Sequence, residues 1–264
     1  MTKTFADGAL RLTLEGEVAT LALDRPEKRN ALNQAMWRAL PEAVATVEAD
    51  LAIKVLVLTG SGGHFAAGAD IGEFETVYAT RDTAAAYSRD IASAVDALAL
   101  LSKPTIARIQ GACVGGGMAL ALACDLRMAA KDAKLGITPG KLGLMYSLAD
   151  TKRLVDAVGG AAAKDLLFSG RIVSAEEALA MRLVGSLHAP EALDTAVREK
   201  AAAIATASQW SARKTKTVVG LILSGVVDDT DDTRAWFLDA TEGRDFIEGR
   251  DAFLAKRTPV FPFR

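Results

Sequence analysis

Val55 to Thr59 reads Val-Leu-Val-Leu-Thr, five residues with neither charge nor polar alternation. Such a run suits a strand covered on both faces, because a strand with one wet face alternates apolar and polar positions. The chain around it supplies the covering elements. Leu10 to Leu14 and Val18 to Leu23 read as a hairpin, with alternation at Leu10, Leu12 and Leu14 and a turn at Glu15 and Gly16. Asn33 to Val47 places Met36, Leu40 and Val44 at helical spacing, with Asn33 as its cap. Tyr87 to Leu101 predicts another helix and Thr105 to Ile109 another strand, separated at Lys103-Pro104 because a residue before proline avoids the helical region. The repeated strand, strand, helix order predicts an α/β core whose sheets are layered by helices.

After Ser147 the pattern turns helical: Leu148 to Val158, Ala161 to Phe168, Ser174 to Met181, Ala192 to Ala205, Gln209 to Leu223 and Thr233 to Ala240. No glycine-serine linker or charge block marks the change, so the helical part is expected to dock on the core. We divide the chain into a core over residues 1–200 and a C-terminal helical extension over 201–264.

Bulk properties remove several classes of function. The net charge of -2 offers no basic field for nucleic acid. The longest apolar stretches, such as Met118 to Cys124, are too short to span a bilayer, and the segment after Met1 carries no signal-peptide core. A cytoplasmic protein without a membrane partner is the expectation. Cys113 and Cys124 form no CxxC pair and only His64 and His188 join them, so neither a disulfide framework nor a metal centre is expected.

Three segments carry unusual chemistry. Asp24 to Asn33 is a polar turn with Arg25, Lys28 and Arg29 at a strand end, fit either to hold a phosphate or to be a solvated loop ending in a helix cap. Gly60 to Asp70 sets Gly62, Gly63 and Gly68 around Phe65, Ala66 and Ala67, small residues that let a ligand approach the backbone or simply form a loop. Gln110 to Gly117 precedes an apolar helix with Gly115, Gly116 and Gly117 at its opening. It lacks the Gly-Lys-Ser/Thr of a phosphate loop and the spacing of a dinucleotide fingerprint. Close helix packing or a site for a developing oxyanion remain as readings, since amides at a helix start point outward and favour negative charge.

Taken in order, these segments resemble the enoyl-CoA hydratase/isomerase, or crotonase, family from Val18 to Arg257. The strongest matches are Leu23 to Asn33, Phe65 to Ile71, Gly111 to Asp125 and the stretch Phe246 to Arg257. The resemblance implies a crotonase-like spiral of repeated ββα units and an acyl-CoA substrate, with coenzyme A entering only as part of that substrate. It implies that the Ala69 and Gly116 amides form an oxyanion hole, that Ala67 lies beside the adenine, and that Lys28 and Arg29 lie near the phosphates. Phe253 and Lys256 would approach the coenzyme from the C-terminal region, and the extension would serve a homotrimer or a dimer of trimers.

The sequence also departs from that pattern. Where hydratases of the family carry two glutamates, this chain has Ala119 and Pro139. Tyr146 is then the candidate polar group over the substrate, with Thr138, Ser147, Asp70 and Glu73 nearby, and His64 is read as a turn residue. Thr138-Pro139 followed by Tyr146 looks like the family's methylmalonyl-CoA decarboxylase branch, although that branch has a histidine where Ala69 stands. Hydration, isomerisation, decarboxylation of a malonyl-type thioester, and a non-catalytic thioester binder are the readings carried forward.

Overall fold

The computed structural model describes residues 2–263. Strands β1 (Thr2–Phe5), β2 (Leu10–Glu15), β3 (Val18–Leu23), β4 (Val55–Gly60) and β5 (Thr105–Ile109) continue through β6 (Ala112–Val114), β7 (Leu126–Ala130), β8 (Lys134–Gly136), β9 (Ile172–Ser174) and β10 (Ser186–His188). Seven of them form one sheet in the order β1-β2-β3-β4-β5-β7-β10, and β6-β8-β9 form a second. The first two pairings of the large sheet are antiparallel, and those from β3 onward are parallel. The helices are α1 (Gln34–Ala49), α2 (Phe74–Val77), α3 (Arg81–Leu100), α4 (Gly116–Ala123), α5 (Leu148–Ser169), α6 (Ala175–Ala180), α7 (Leu193–Thr206), α8 (Gln209–Leu223), α9 (Asp231–Glu242) and α10 (Arg244–Leu254). This is the α/β architecture expected from the sequence.

The apolar run in β4 shows why the sheet is layered. Leu56 and Leu58 point into the larger core with Met36, Leu40 and Leu98, while Val55 and Val57 point the other way, onto Leu193, Val197 and Ala201 of α7. Successive strand residues face opposite sides, so an all-apolar strand needs cover on both. Residue 200 therefore lies within a helix that covers the sheet, and the chain leaves the core only after α7. Beyond it, Lys216 of α8 ties back through its ammonium, which donates to the Lys103 carbonyl at 3.1 Å and to Asp125 at 3.0 Å.

The local expectations fare unevenly. The β2–β3 hairpin forms, and the Asn33 side chain caps α1 by accepting from the Met36 N–H at 2.9 Å. Helix α3 begins at Arg81 rather than Tyr87, because Thr80 and Thr83 close a reciprocal capping box. The two helices expected between Leu148 and Phe168 form as the two arms of α5, separated by a non-helical Gly159 at φ 77° and ψ 162°. The region after Ser147 is not wholly helical. Strands β9 and β10 join it to β8 and β7, and at three residues each they are too short to show a period in sequence.

Candidate functional site

Two loops are fastened together by side chains with no freedom to do chemistry. The Arg25 guanidinium donates to the Ala31 carbonyl at 2.6 Å and pairs with Asp70 at 3.0 Å. Asn30, fully buried, donates from one amide nitrogen to the Ser61 and His64 carbonyls and accepts from the Arg25 N–H. Glu73 accepts from the Gln34 N–H at the start of α1, and His64 Nδ1 accepts from the Ala112 N–H. Asp70 and Glu73 are thus committed to structure. Burial acts to raise the Asp70 pKa, yet the Arg25 hydrogen bond, the Gly72 N–H and the charges of Arg25 and Lys28 outweigh it and hold this carboxyl below its ordinary range.

The fastening aims one amide. Leu32 pairs with Ala69 as in a parallel ladder: its N–H donates to the Gly68 carbonyl and its carbonyl accepts from the Asp70 N–H, both at 2.8 Å. In such a pairing the intervening residue turns its own N–H to the opposite side. The Ala69 N–H consequently faces away from the first loop and finds no protein acceptor among the described residues. A second bridge, Ala66 with Cys113, holds the same segment against β6. The Ala67 N–H donates to the Arg29 carbonyl at 3.0 Å, which sets Lys28 and Arg29, both exposed, on the turn beside Ala67.

The other amide comes from the start of α4. Gly115 sits at φ 52°, ψ -118°, a conformation open to glycine and strained for other residues. Its N–H is bound by the Gly136 carbonyl, whereas the Gly116 N–H, in the first turn of the helix, has no acceptor among the described residues. A β-carbon at Gly116 would lie 3.5 Å from the Ala69 nitrogen and 2.9 Å from the Trp37 ring. The two free amides are therefore neighbours, with the buried indole of Trp37 packed beside them.

Both open onto a cavity of 220 Å³ walled by Trp37, Ile71, Phe74, Ile91, Ala119 and Pro139, among others. Ala119 and Pro139 bring no ionisable group to it. Tyr146 is on the wall, but its hydroxyl donates to the Gly115 carbonyl at 2.6 Å. Burial, reinforced by the charge of Asp150 and by Cys113, raises this phenol well above its ordinary pKa, so it stays protonated. Thr138 and Ser147 also reach the wall. One carboxylate does too, and sequence reading passed over it: Asp150, which accepts from the Ser147 hydroxyl at 2.7 Å and pairs with Arg153 at 3.1 Å. The Ser147-x-x-Asp150 spacing that opens α5 was the available signal. Phe253 and Lys256, exposed at the end of α10, are not on this wall. A larger cavity of 710 Å³ between α8, α9 and α10 contains none of the three chemical segments.

Two neighbouring main-chain donors on the wall of an apolar cavity can stabilise negative charge gathering on one oxygen, and comparison with known proteins shows the family of the chain. The sequence matches the family described as enoyl-CoA hydratase/isomerase over residues 13–263. A solved enoyl-CoA hydratase/isomerase family protein from Hyphomonas neptunium is 47% identical, with a TM-score of 0.94 over 97% of this chain and 98% of that one. An enoyl-CoA hydratase/carnithine racemase structure from Magnetospirillum magneticum is 37% identical, with a TM-score of 0.93 over 97% and 96%. The (E)-benzylidenesuccinyl-CoA hydratase of Thauera aromatica is 36% identical over 265 residues, covering 95% of this chain and 97% of the relative. The chain belongs to the enoyl-CoA hydratase/isomerase family, within the crotonase superfamily.

Proposed function

We propose that this enzyme binds an acyl-CoA and stabilises an enolate of its thioester between the N–H groups of Ala69 and Gly116. The observation that carries the reading is the adjacency of two amides, each without a protein acceptor among the described residues, on the wall of one apolar cavity. An enolate moves charge onto the carbonyl oxygen, so fixed donors favour it over the neutral thioester. Each such donor contributes about 3 kcal/mol in comparable sites.

Lys28 and Arg29 hold the coenzyme's phosphates in this reading, with Ala67 against the adenine. With Ala119 and Pro139 on the wall, proton transfer to or from the acyl carbons has the carboxylate of Asp150 to draw on. Phe253 and Lys256 act from a neighbouring subunit of a trimer or a pair of trimers. Exposed Phe237, Leu238, Phe246 and Leu254 on α9 and α10 support that assembly, since monomers rarely leave such a patch in water.

The test is a panel of thioesters: crotonyl-CoA for hydration, a 3-enoyl-CoA for isomerisation, and methylmalonyl-CoA for loss of carbon dioxide. Turnover of at least one, with the product following from an enolate, is the expected result. Saturable coenzyme A binding with no turnover of any would make the protein a binder only.

A further inference from the structure

We infer that Tyr146 is a positioning residue that sets the aim of the Gly116 N–H by holding the Gly115 carbonyl; the inference rests on the oxyanion-hole reading above. The carbonyl of Gly115 and the N–H of Gly116 belong to one planar peptide unit and point in opposite directions. Whatever fixes the first fixes the second. Three consecutive glycines, Gly115 to Gly117, leave this unit with no side chain on either flank to resist its rotation. Gly115, at φ 52° and ψ -118°, lies outside the helical region, so the preceding backbone does not impose the helical orientation either.

Two donors hold the carbonyl in place. The first is the Ala119 N–H at 3.0 Å, the opening hydrogen bond of α4. The second is the Tyr146 hydroxyl at 2.6 Å, which arrives from outside the glycine segment, just before α5. Tyr146 is 7% exposed, and its hydroxyl makes no other hydrogen bond among the described residues. With its one proton spent on Gly115, the phenol can accept from a substrate but cannot donate to a substrate carboxylate or enolate. The bond has a second effect. A donor on the carbonyl draws electron density from the amide and strengthens its N–H, so a chain from phenol through peptide to oxyanion is polarised in one direction.

The test uses butyryl-CoA labelled with carbon-13 at the thioester carbonyl, whose infrared stretch reports how strongly the bound carbonyl is polarised. Wild type, Tyr146→Phe, and a variant carrying 3-fluorotyrosine at 146, a stronger donor of nearly the same shape, are compared. The expected result is a downshift on binding to wild type, a smaller one in Tyr146→Phe and a larger one with fluorotyrosine. Alongside, kcat on the thioester turned over falls about 10- to 100-fold in Tyr146→Phe while KM changes less than about threefold. A stretch indifferent to both substitutions overturns the inference and leaves the amide pair standing. No downshift in wild type defeats the oxyanion-hole reading itself. Should Tyr146→Phe fail to fold, the fluorotyrosine protein alone decides: a larger downshift supports the inference, an unchanged one overturns it.

Discussion

Replacing Gly115 with alanine separates the aim of the Gly116 amide from every other property of the site. A β-carbon there meets nothing closer than the Thr138 hydroxyl at 3.6 Å and the Gly68 α-carbon at 3.8 Å, so crowding contributes nothing. The cost is conformational, because φ 52° with ψ -118° is a region that an L-residue avoids, at a strain of order 1–3 kcal/mol. Alanine relieves that strain by turning the peptide that follows it, and that peptide carries the Gly116 N–H. Loss of one aimed donor costs about 3 kcal/mol of transition-state stabilisation, or about 10²-fold in kcat. Gly16→Ala is the control. It too has a positive φ, 59°, and open space, but it lies in the turn between β2 and β3 and is not on the cavity wall. It is expected to cost about 1 kcal/mol of stability and to keep wild-type kcat. The assays are thermal melting and turnover of the thioester that the panel identifies. A Gly115→Ala protein that melts lower but turns over at the wild-type rate would refute the argument that this backbone geometry matters to the chemistry.

Three further perturbations follow from named contacts. Arg25→Met strips Asp70 of its ion pair and the Ala31 carbonyl of a donor, and is expected to cost about 2 kcal/mol by chemical denaturation. Because the Asp70 pKa is depressed in the folded state, its contribution is present above the unfolded value near 4 and lost as pH falls through the folded one. Wild type should therefore lose stability more steeply than Arg25→Met below about pH 4, and equal slopes would dismiss the ion pair as its source. Asp150→Asn should lower kcat about 10²-fold while butyryl-CoA still binds. A loss under about twofold would leave Asp150 as a structural partner of the Ser147 cap and of Arg153 alone. Lys28→Ala with Arg29→Ala should raise KM about tenfold, most at low salt, with kcat unchanged. A KM that ignores both salt and substitution would remove these two cations from the coenzyme site.

Four strands of the large sheet, β2 to β5, were legible in sequence because they carry their own signals, whereas β1, β7, β10 and the whole small sheet were not. Val55 to Thr59 announces a strand covered on both faces, and Asn33 with the apolar spacing after it announces α1. β6, β8, β9 and β10 have three residues each and owe their existence to pairing partners far along the chain. No local pattern encodes such pairing. The same divide runs through the site. Gly115 to Gly117 stood out as a helix opening, but Asn30, whose two carbonyl contacts lie 31 and 34 residues away, read as one more polar residue in a turn. Tyr146 was legible as a residue of the site and its hydrogen bond was not, since a phenol facing a substrate and a phenol facing a carbonyl look identical in sequence.

A hole made of main chain can be tuned only through what holds the main chain, and this has a consequence for where function resides in the molecule. Ala69 is aimed by Leu32, Leu32 is carried on the loop that Arg25 and Asn30 fasten, and Asn30 reaches across to Ser61 and His64. Gly116 is aimed by Gly115, which Tyr146 and Gly136 hold from two directions. None of these side chains needs to touch the substrate, yet a shift of one of them turns a donor away from the oxygen it serves. On the proposed reading, catalytic power is thus an attribute of packing and hydrogen bonding at several removes. The cavity-facing side chains of Ala119 and Pro139, by contrast, carry no hydrogen bond, so a change there can alter the reaction without disturbing the fold that makes it possible.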